Sequence, residues 1–102
     1  MSSTVLEIVK VKLKSDIDEV SFMEESKKFH ENWLSKQPGF QKRLTLKSSE
    51  GEWVDILWWD SMEDAKATAE KAMQEPSAAA WFGMMDESTV SMYHGKIVEE
   101  YA

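Results

Sequence analysis

Hydrophobic and polar residues alternate with a period of two in four segments of the chain, and they follow helical spacing in most of the sequence between. The alternation predicts β-strands at residues 4–14, 40–47, 53–59 and 89–98. Helical spacing predicts a helix from residue 15 or 16 to about residue 36, a second helix after a cap at Ser61, and a short third at residues 78–85 capped by Ser77. The order is therefore strand, helix, strand, strand, helix, strand, with the short helix before the last strand.

The strand at residues 53–59 is apolar on both of its faces. Its large side chains alternate as Trp53, Leu57 and Trp59 on one face and Val54, Ile56 and Trp58 on the other. The first strand is also apolar on both sides near Leu6 and Ile8, and strands of this kind are covered on both faces. Right-handed crossovers place the helices on one face only. We therefore expect a second copy of the chain to cover the other face, which makes the protein a homodimer.

These elements predict an α+β fold, a ferredoxin-like βαββαβ sandwich formed by a single domain of residues 1–102 and paired into a dimeric α/β barrel. The polar loop at residues 48–52 predicts an antiparallel hairpin between the second and third strands. In the second strand, Arg43 and Thr45 alternate with Leu44 and Leu46. We expect the polar pair to face solvent, and the strand to lie at the outside of the sheet.

Composition narrows the range of functions. The net charge of −7 argues against nucleic-acid binding, which needs clustered positive charge. No stretch is long and apolar enough to span a membrane, and no secretory leader is recognisable, so we expect a cytoplasmic protein. Cysteine is absent, and two isolated histidines do not indicate a metal site. Five tryptophans and seven methionines in 102 residues predict either an irregular core or a pocket for a flat ligand.

Three short segments carry a family resemblance: QPGF at residues 37–40, WWDS at residues 58–61 and MEDA at residues 62–65. Together with the order of the elements, they resemble the antibiotic biosynthesis monooxygenase family of dimeric α/β barrels across nearly the whole chain. The resemblance implies a ligand pocket between sheet and helices in each subunit. In one branch of that family, polyphenolic substrates are oxidised by molecular oxygen without a cofactor, neither metal nor flavin.

A second branch of the same family degrades haem with a set of Asn, Trp and His residues. Trp59 matches the family's tryptophan at the end of the third strand. The first strand contains no Asn, and no His lies between Trp59 and His94. Apart from Trp59, the residue set of the haem-degrading branch is therefore not matched in this chain, which argues against haem degradation.

Candidate catalytic residues are His30, Trp59 and His94. Either imidazole could remove a phenol proton, since an unperturbed histidine has a pKa near 6.5; either could also be a boundary residue of the core. Six aromatic residues could form the wall that stacks a substrate, or could be core: Phe29, Trp33, Trp58, Trp81, Phe82 and Tyr93. Trp58 and Trp59 should point to opposite faces, as should Tyr93 and His94.

Three functions remain open from the sequence. The first is a cofactor-independent monooxygenase acting on a small aromatic or polyphenolic substrate. The second is a non-catalytic protein that binds a small aromatic or apolar ligand in the same pocket, and the third is a structural protein whose aromatic residues are all core. An ionisable group facing a cavity would separate the first from the second. An open cavity would separate the second from the third.

Overall fold

The structure is a computed structural model that describes residues 4–102 and has the predicted order of elements. The strands are β1 (Val5–Val11), β2 (Phe40–Lys47), β3 (Trp53–Trp59) and β4 (Ser91–Lys96), and the helices are α1 (Glu19–Asn32), α2 (Met62–Ala72) and α3 (Pro76–Phe82). All strand pairs are antiparallel, in the order β2-β3-β1-β4. The ferredoxin-like α+β fold is confirmed, as are the bounds of β2 and β3 and the hairpin between them.

Helix α1 is shorter than its pattern predicts. It begins at Glu19, because Asp18 is the capping residue and its carboxylate accepts the Ser21 N–H at 3.3 Å. It ends at Asn32, since Trp33 leaves helical geometry at φ −140°, and a single 3₁₀ turn follows at Leu34–Lys36. The predicted continuous helix from residue 15 or 16 to about residue 36 was wrong at both ends.

Of the caps predicted for the two later helices, that of α2 is correct and that of α3 is not. The Ser61 cap of α2 is confirmed, since its hydroxyl oxygen accepts the Asp64 N–H at 3.1 Å. The predicted cap of α3 at Ser77 is wrong. Glu75 caps this helix by accepting the Ser77 N–H at 3.3 Å, and Pro76 occupies the first position, where its missing N–H costs nothing.

The last strand, β4, is also shorter than predicted. A 3₁₀ turn at Glu87–Thr89 precedes it, with the Asp86 carboxylate accepting the Ser88 N–H at 3.1 Å. The strand therefore starts at Ser91 rather than at residue 89, and it ends at Lys96. Among the helices of residues 4–102, none has the length and apolar character needed to cross a membrane.

The two faces of the sheet have different environments. The helix-covered face carries the buried residues Val5 and Val11 of β1, and Leu57 and Trp59 of β3. The other face, which we call the open face, carries mainly apolar side chains and is not covered by the helices. Strand register places on it Leu6, Ile8, Leu44, Leu46, Val54, Ile56, Trp58 and Tyr93.

Aromatic rings fill the space between the helices and the sheet. The Phe29 ring lies 5.4 Å from Trp33 and 5.2 Å from Trp81, nearly parallel to both. Phe22 lies 5.2 Å from Trp53, which extends the same packing toward β3. These stacked rings form the core on the α1 and α3 side of the molecule.

Arg43 and Thr45 do not face solvent as predicted. Both lie on the helix-covered face, where the Arg43 side chain is only 6% exposed and bonds to Ser26 of α1 and to Asp55 of β3. Leu44 and Leu46 take the open face instead, at 44% and 39% exposure. β2 is an outer strand as predicted, but its polar side is the buried one.

The turn between α1 and β2 fits closely against the start of α2. Gly39 has a φ of +78°, which an L side chain rarely adopts, and a Cβ built there would lie 2.3 Å from the Asp64 carboxylate. The Asp60 N–H donates to the Gly39 carbonyl at 2.8 Å. Glycine is therefore required at this position by both backbone and space.

Candidate functional site

The three predicted catalytic residues lie in two places on the helix-covered side. His30 is on α1 near β2, whereas Trp59 and His94 lie beneath α2, at the other side of the sheet. The Phe40 ring separates the two places: its centroid is 5.5 Å from that of His30 and 5.6 Å from that of Trp59. The structure therefore does not bring the two histidines to one ligand position.

A groove of about 260 Å³ runs between α1 and β2 beside His30. Four of its lining residues can carry charge, and two more carry hydroxyl groups. The lining consists of Met23, Ser26, Lys27, His30, Glu31, Arg43 and Thr45. This lining is mixed in charge, since it holds cationic, anionic and neutral polar side chains together.

His30 presents an unused nitrogen in this region. Within residues 4–102 its buried Nδ1 atom has no hydrogen-bond partner. Burial lowers the pKa of His30 below its ordinary value of 6.5, and the nearby Arg43 guanidinium lowers it further. The imidazole is therefore neutral at pH 7, and a neutral imidazole can accept a proton.

Arg43 is held rigidly at the inner wall of the groove. Its Nη2 atom donates to Asp55 at 2.8 Å and to the Ser26 hydroxyl at 2.7 Å, and its guanidinium lies 5.1 Å from the Trp81 ring centre. Thr45 donates to the other oxygen of Asp55 at 2.6 Å. The Arg43 Nε atom is buried and finds no partner in the described chain, so one N–H of this guanidinium is unused.

The interior between sheet and helices contains little open space. The cavity found there measures about 20 Å³, room for about one water molecule. It is lined by Val9, Val11, Phe22, Thr45, Trp53, Asp55, Trp81 and Met85. The Trp81 indole nitrogen is buried without a partner in the part of the chain described. The pocket expected between sheet and helices is thus filled by aromatic rings. Open space lies outside it, in the His30 groove and in a wider depression of about 600 Å³ lined by residues of α1 and by Trp53.

Glu7 is a buried acid that the sequence reasoning missed. It lies on the helix-covered face of β1 at 6% exposure, and its Oε1 accepts the Trp59 indole N–H at 3.0 Å. The His94 Nε2 atom lies 3.6 Å from the same oxygen. Burial raises the pKa of Glu7 to about 7, against the Trp59 hydrogen bond, which lowers it, and with a further rise from Asp55.

Glu7 and Asp55 could have been found from the pattern alone. Glu7 alternates with Val5, Val9 and Val11, so a period of two places it on their buried face. Asp55 alternates in the same way with Trp53, Leu57 and Trp59 of β3. An acid inside an apolar face is the signal in both cases.

The six aromatic residues proposed for the substrate wall divide between the two faces of the sheet. Phe29, Trp33, Trp81 and Phe82 lie on the helix-covered side and pack against one another as core. Trp58 and Tyr93 lie on the open face, whereas Trp59 and His94 lie on the covered face, so each pair points to opposite faces as predicted. The Lys42 ammonium lies 4.8 Å from the Trp58 ring centre. A ligand on the helix side cannot contact Trp58 or Tyr93.

Metal-ligating side chains do not gather in the described part of the chain. Residues 4–102 contain no group of three or more His, Cys, Asp or Glu side chains placed to hold a metal ion. The Glu7 and His94 side chains, on neighbouring strands, approach each other to 3.6 Å. Two donors fall short of a typical protein metal site.

Solved structures with the same fold give the comparison with known proteins. A candidate antibiotic biosynthesis monooxygenase from Caulobacter crescentus has a TM-score of 0.75 at 15% identity, over 96% of this chain and 92% of that one. SnoaB, a cofactor-independent oxygenase from Streptomyces nogalater, has a TM-score of 0.65 at 14% identity, over 99% and 97%. A heme-degrading protein from Mycobacterium tuberculosis has a TM-score of 0.63 at 16% identity, over 100% and 99%.

Sequence comparisons give no further indication of family or function. No protein-family model matches the chain, and no curated protein matches it at a significant level. Structural likeness at these identities establishes the fold, which hosts both an oxygenase and a heme-degrading protein. The chain therefore has the fold of the antibiotic biosynthesis monooxygenases, and the resemblance inferred from its sequence is confirmed at the level of the fold.

Proposed function

We propose that this protein is a cytoplasmic, homodimeric, cofactor-independent monooxygenase that binds a small phenolic substrate in the groove between α1 and β2. One observation carries the proposal. His30 and Arg43 both line this groove, and each has a buried nitrogen without a hydrogen-bond partner among the described residues. Buried polar atoms are rarely left unpaired, so two such atoms at one groove favour a polar ligand group.

A phenolic hydroxyl carries both the donor and the acceptor that these two nitrogens lack. Its O–H can donate to the neutral Nδ1 of His30, while its oxygen accepts the Nε–H of Arg43. As His30 takes the proton, the guanidinium stabilises the phenolate that forms. Asp55 already neutralises most of the Arg43 charge, with the two side chains 2.8 Å apart. A group that is neutral on binding and anionic only during reaction is therefore preferred over a permanent anion.

The phenolate then supplies the electrons for the reaction with oxygen. The bound phenol is the tautomer of a ketone whose activated CH₂ carbon has become a ring C–H conjugated with the hydroxyl. One electron passes from its phenolate to molecular oxygen, and superoxide and the substrate radical combine at that C–H carbon. The peroxide takes the proton from His30 and becomes a hydroperoxide. Loss of water leaves a carbonyl group, and the proton that His30 had held leaves with that water. The balance is CH₂ + O₂ → C=O + H₂O, with oxygen as the oxidant and one oxygen atom in each product.

The dimensions of the groove favour a small substrate. Its volume of about 260 Å³ lies just under the range of about 300 to 1,000 Å³ typical of small-molecule sites. Met23 provides an apolar contact for a ring, and Ser26 and Thr45 provide hydroxyl groups beside it. A substrate with few fused rings fits this space best.

Non-catalytic binding of a small ligand is the second candidate. The interior cavity of about 20 Å³ favours it, because an enclosed reaction chamber that excludes water is missing from the described fold. In that case His30 and Arg43 hold a ligand hydroxyl, and no oxygen is consumed. Binding without turnover would distinguish this role from catalysis.

The homodimer is proposed from the open face. Apolar residues from all four strands lie there, and Leu44, Leu46 and Tyr93 are 44%, 39% and 53% exposed. A continuous apolar surface of this kind is unusual on a monomer, and a two-fold pairing of sheets would cover it in both copies. Native mass spectrometry should detect a species of twice the chain mass. A monomer at micromolar concentration would contradict this part of the proposal.

Oxygen uptake tests the catalytic proposal. We expect uptake with members of a panel of hydroxyanthrones and smaller phenols, and loss of about 10²- to 10⁴-fold in rate for His30→Gln, because the general base is removed. Lys28→Gln is the matched control, since Lys28 is on the same helix and its side chain is 65% exposed. Activity of the parent protein should fall with acidification below pH 6.5, as His30 becomes protonated. Unchanged turnover in His30→Gln would rule out this base.

A further inference from the structure

We propose that Glu7 and His94 form a second acid–base site, separate from the His30 groove, in which the two side chains share one proton beneath α2. The pair joins the outer strand β4 to its neighbour β1, and Trp59 of β3 completes it. The inference does not depend on the proposed oxygenase activity, because it concerns groups on the far side of the Phe40 ring.

Strand register fixes this contact. Glu7 and His94 are directly opposite each other in the β1–β4 ladder, so their side chains leave the sheet on the same face as close neighbours. Both are shielded from solvent, with side chains 8% and 13% exposed. The Trp59 N–H bond to Glu7 Oε1, at 3.0 Å, holds the carboxyl group in place from the other side.

The available donors and acceptors indicate where the proton lies. His94 Nε2 is buried and has no hydrogen-bond partner in residues 4–102, while Glu7 Oε1 lies 3.6 Å away. A protonated Glu7 can accept from Trp59 and donate to His94 through its hydroxyl, after an approach of less than about 1 Å. That single proton satisfies all three side chains.

A neutral pair is favoured over an ion pair at this depth. Burial is the largest effect on both groups: it raises the pKa of Glu7 to about 7 and lowers the pKa of His94 below 6.5. Both shifts disfavour charge. Glu7 therefore holds the proton as a carboxylic acid, and His94 is the neutral acceptor with its own proton on Nδ1.

Charged groups on the surrounding elements act in the same direction. Asp55 on β3 raises the pKa of Glu7, and Lys66 on α2 lowers the pKa of His94. Lys96 lies on the same face of β4, two residues along and opposite Val5. A cation on the His94 side and an anion on the Glu7 side both oppose the arrangement Glu7⁻–His94⁺, so the proton stays on Glu7.

Loss of this proton changes the contacts of three elements at once. Above about pH 7, Glu7 becomes a buried anion and can no longer donate to His94. The side-chain hydrogen bond between Glu7 and His94 is then lost, while the backbone pairing of β1 and β4 stays. The Trp59 N–H then bonds to a full negative charge instead of a carboxylic acid, which strengthens this bond. The indole of Trp59 therefore reports the protonation state of Glu7.

Nuclear magnetic resonance of the full chain tests the proposal. The ¹⁵N shifts of His94 at pH 6.5 should show a neutral ring with the proton on Nδ1. The Trp59 indole N–H resonance, assigned by its absence in Trp59→Phe, should shift with a midpoint near pH 7. In Glu7→Gln this transition should be lost, while His94 keeps the same tautomer because the amide still donates.

Two results would overturn the proposal. One is a cationic His94, or a proton on its Nε2 atom, at pH 6.5; this needs no variant, so it decides the matter even if Glu7→Gln does not fold. The other is a Trp59 indole resonance that does not move between pH 6 and pH 8. Glu100→Gln removes an exposed carboxylate near the end of the chain and is the control, with an unchanged Trp59 titration expected.

Discussion

The two faces of the sheet differ in what their apolar residues surround: the covered face holds polar pairs within an apolar core, and the open face is apolar but partly exposed. The face covered by helices contains an arginine, two acids and a histidine, whereas the open face is composed largely of leucine, isoleucine, valine and tryptophan. On the covered face, Arg43 with Asp55 and Glu7 with His94 are the two polar pairs. The comparison teaches that the helices of this fold cover paired polar groups as well as an apolar core.

The difference between the faces has a physical cost on each side. Desolvating a charged group costs several kcal/mol, so the polar pairs are retained at a cost in stability. An apolar face left in water has the opposite problem, which a second copy of the chain would solve. Under the proposed function, the covered face carries the chemistry and the open face carries assembly, and substitutions on each face should have distinct effects.

The largest effect is expected from breaking the Arg43–Asp55 pair. Arg43→Met leaves the Asp55 carboxylate, 13% exposed, without its cation, and should lower the free energy of unfolding by about 3 to 5 kcal/mol. Urea denaturation at pH 7 and fixed protein concentration measures this. Lys42→Met, at the next residue but on the open face, is the control, with a loss of about 1 kcal/mol or less. An equal loss of unfolding free energy in Arg43→Met and Lys42→Met would contradict the difference between the two faces.

Glu7→Gln should stabilise the protein at high pH. Folding raises the pKa of Glu7 from 4.5 to about 7, so the stability this group contributes is complete below pH 4.5 and is lost as the pH rises through 7. Since glutamine cannot ionise, the variant should gain about 3 kcal/mol over the parent at pH 8 and little at pH 4.5. Urea denaturation at both pH values measures the gain. A variant less stable than the parent at pH 8 would contradict the buried-acid interpretation.

The open face should respond through assembly rather than through folding. Ile56→Lys places a charge at the centre of that face and should weaken dimerisation by about 100-fold, or about 2.7 kcal/mol. Analytical ultracentrifugation across a concentration series measures this. Ser49→Lys adds the same charge in the exposed hairpin turn and should leave the dimer intact. Dimerisation that is unaffected by Ile56→Lys would place the interface elsewhere.

The smallest effect is expected at a position that belongs to neither face. Ser61→Ala removes the cap of α2 and should reduce the free energy of unfolding by about 1 kcal/mol at any pH between 5 and 8. Thermal unfolding at both ends of that pH range measures this. Because this loss should not change with pH, it is the reference against which the pH-dependent stabilisation expected of Glu7→Gln is compared.

The fold could be predicted because it depends on patterns that are local in the sequence. Alternation in β2 and β3 gives their bounds, and the Ser61 cap marks the start of α2. Pattern alone could not decide which side of β2 is covered. Arg43 was expected in solvent because its ionic partner, Asp55, is on another strand, and pairing across strands is set by tertiary packing.

The candidate site could be predicted only in part for a related reason. A histidine at the border of an apolar stripe identifies His30 as a candidate, but the groove exists because Arg43 and Thr45 turn inward beneath α1. His94 was selected for its chemistry, yet its partner Glu7 is 87 residues earlier in the chain and was overlooked. The sequence pattern identified single residues. It did not reveal the contacts between distant strands that determine the chemistry of those residues.

The close fit at Gly39 has a mechanical consequence. The turn after α1 bonds to Asp60 through its carbonyl and leaves no room for a side chain beside Asp64. The turn that follows α1 is therefore held directly against the first turn of α2. A displacement of the end of α1 then requires the start of α2 to move with it.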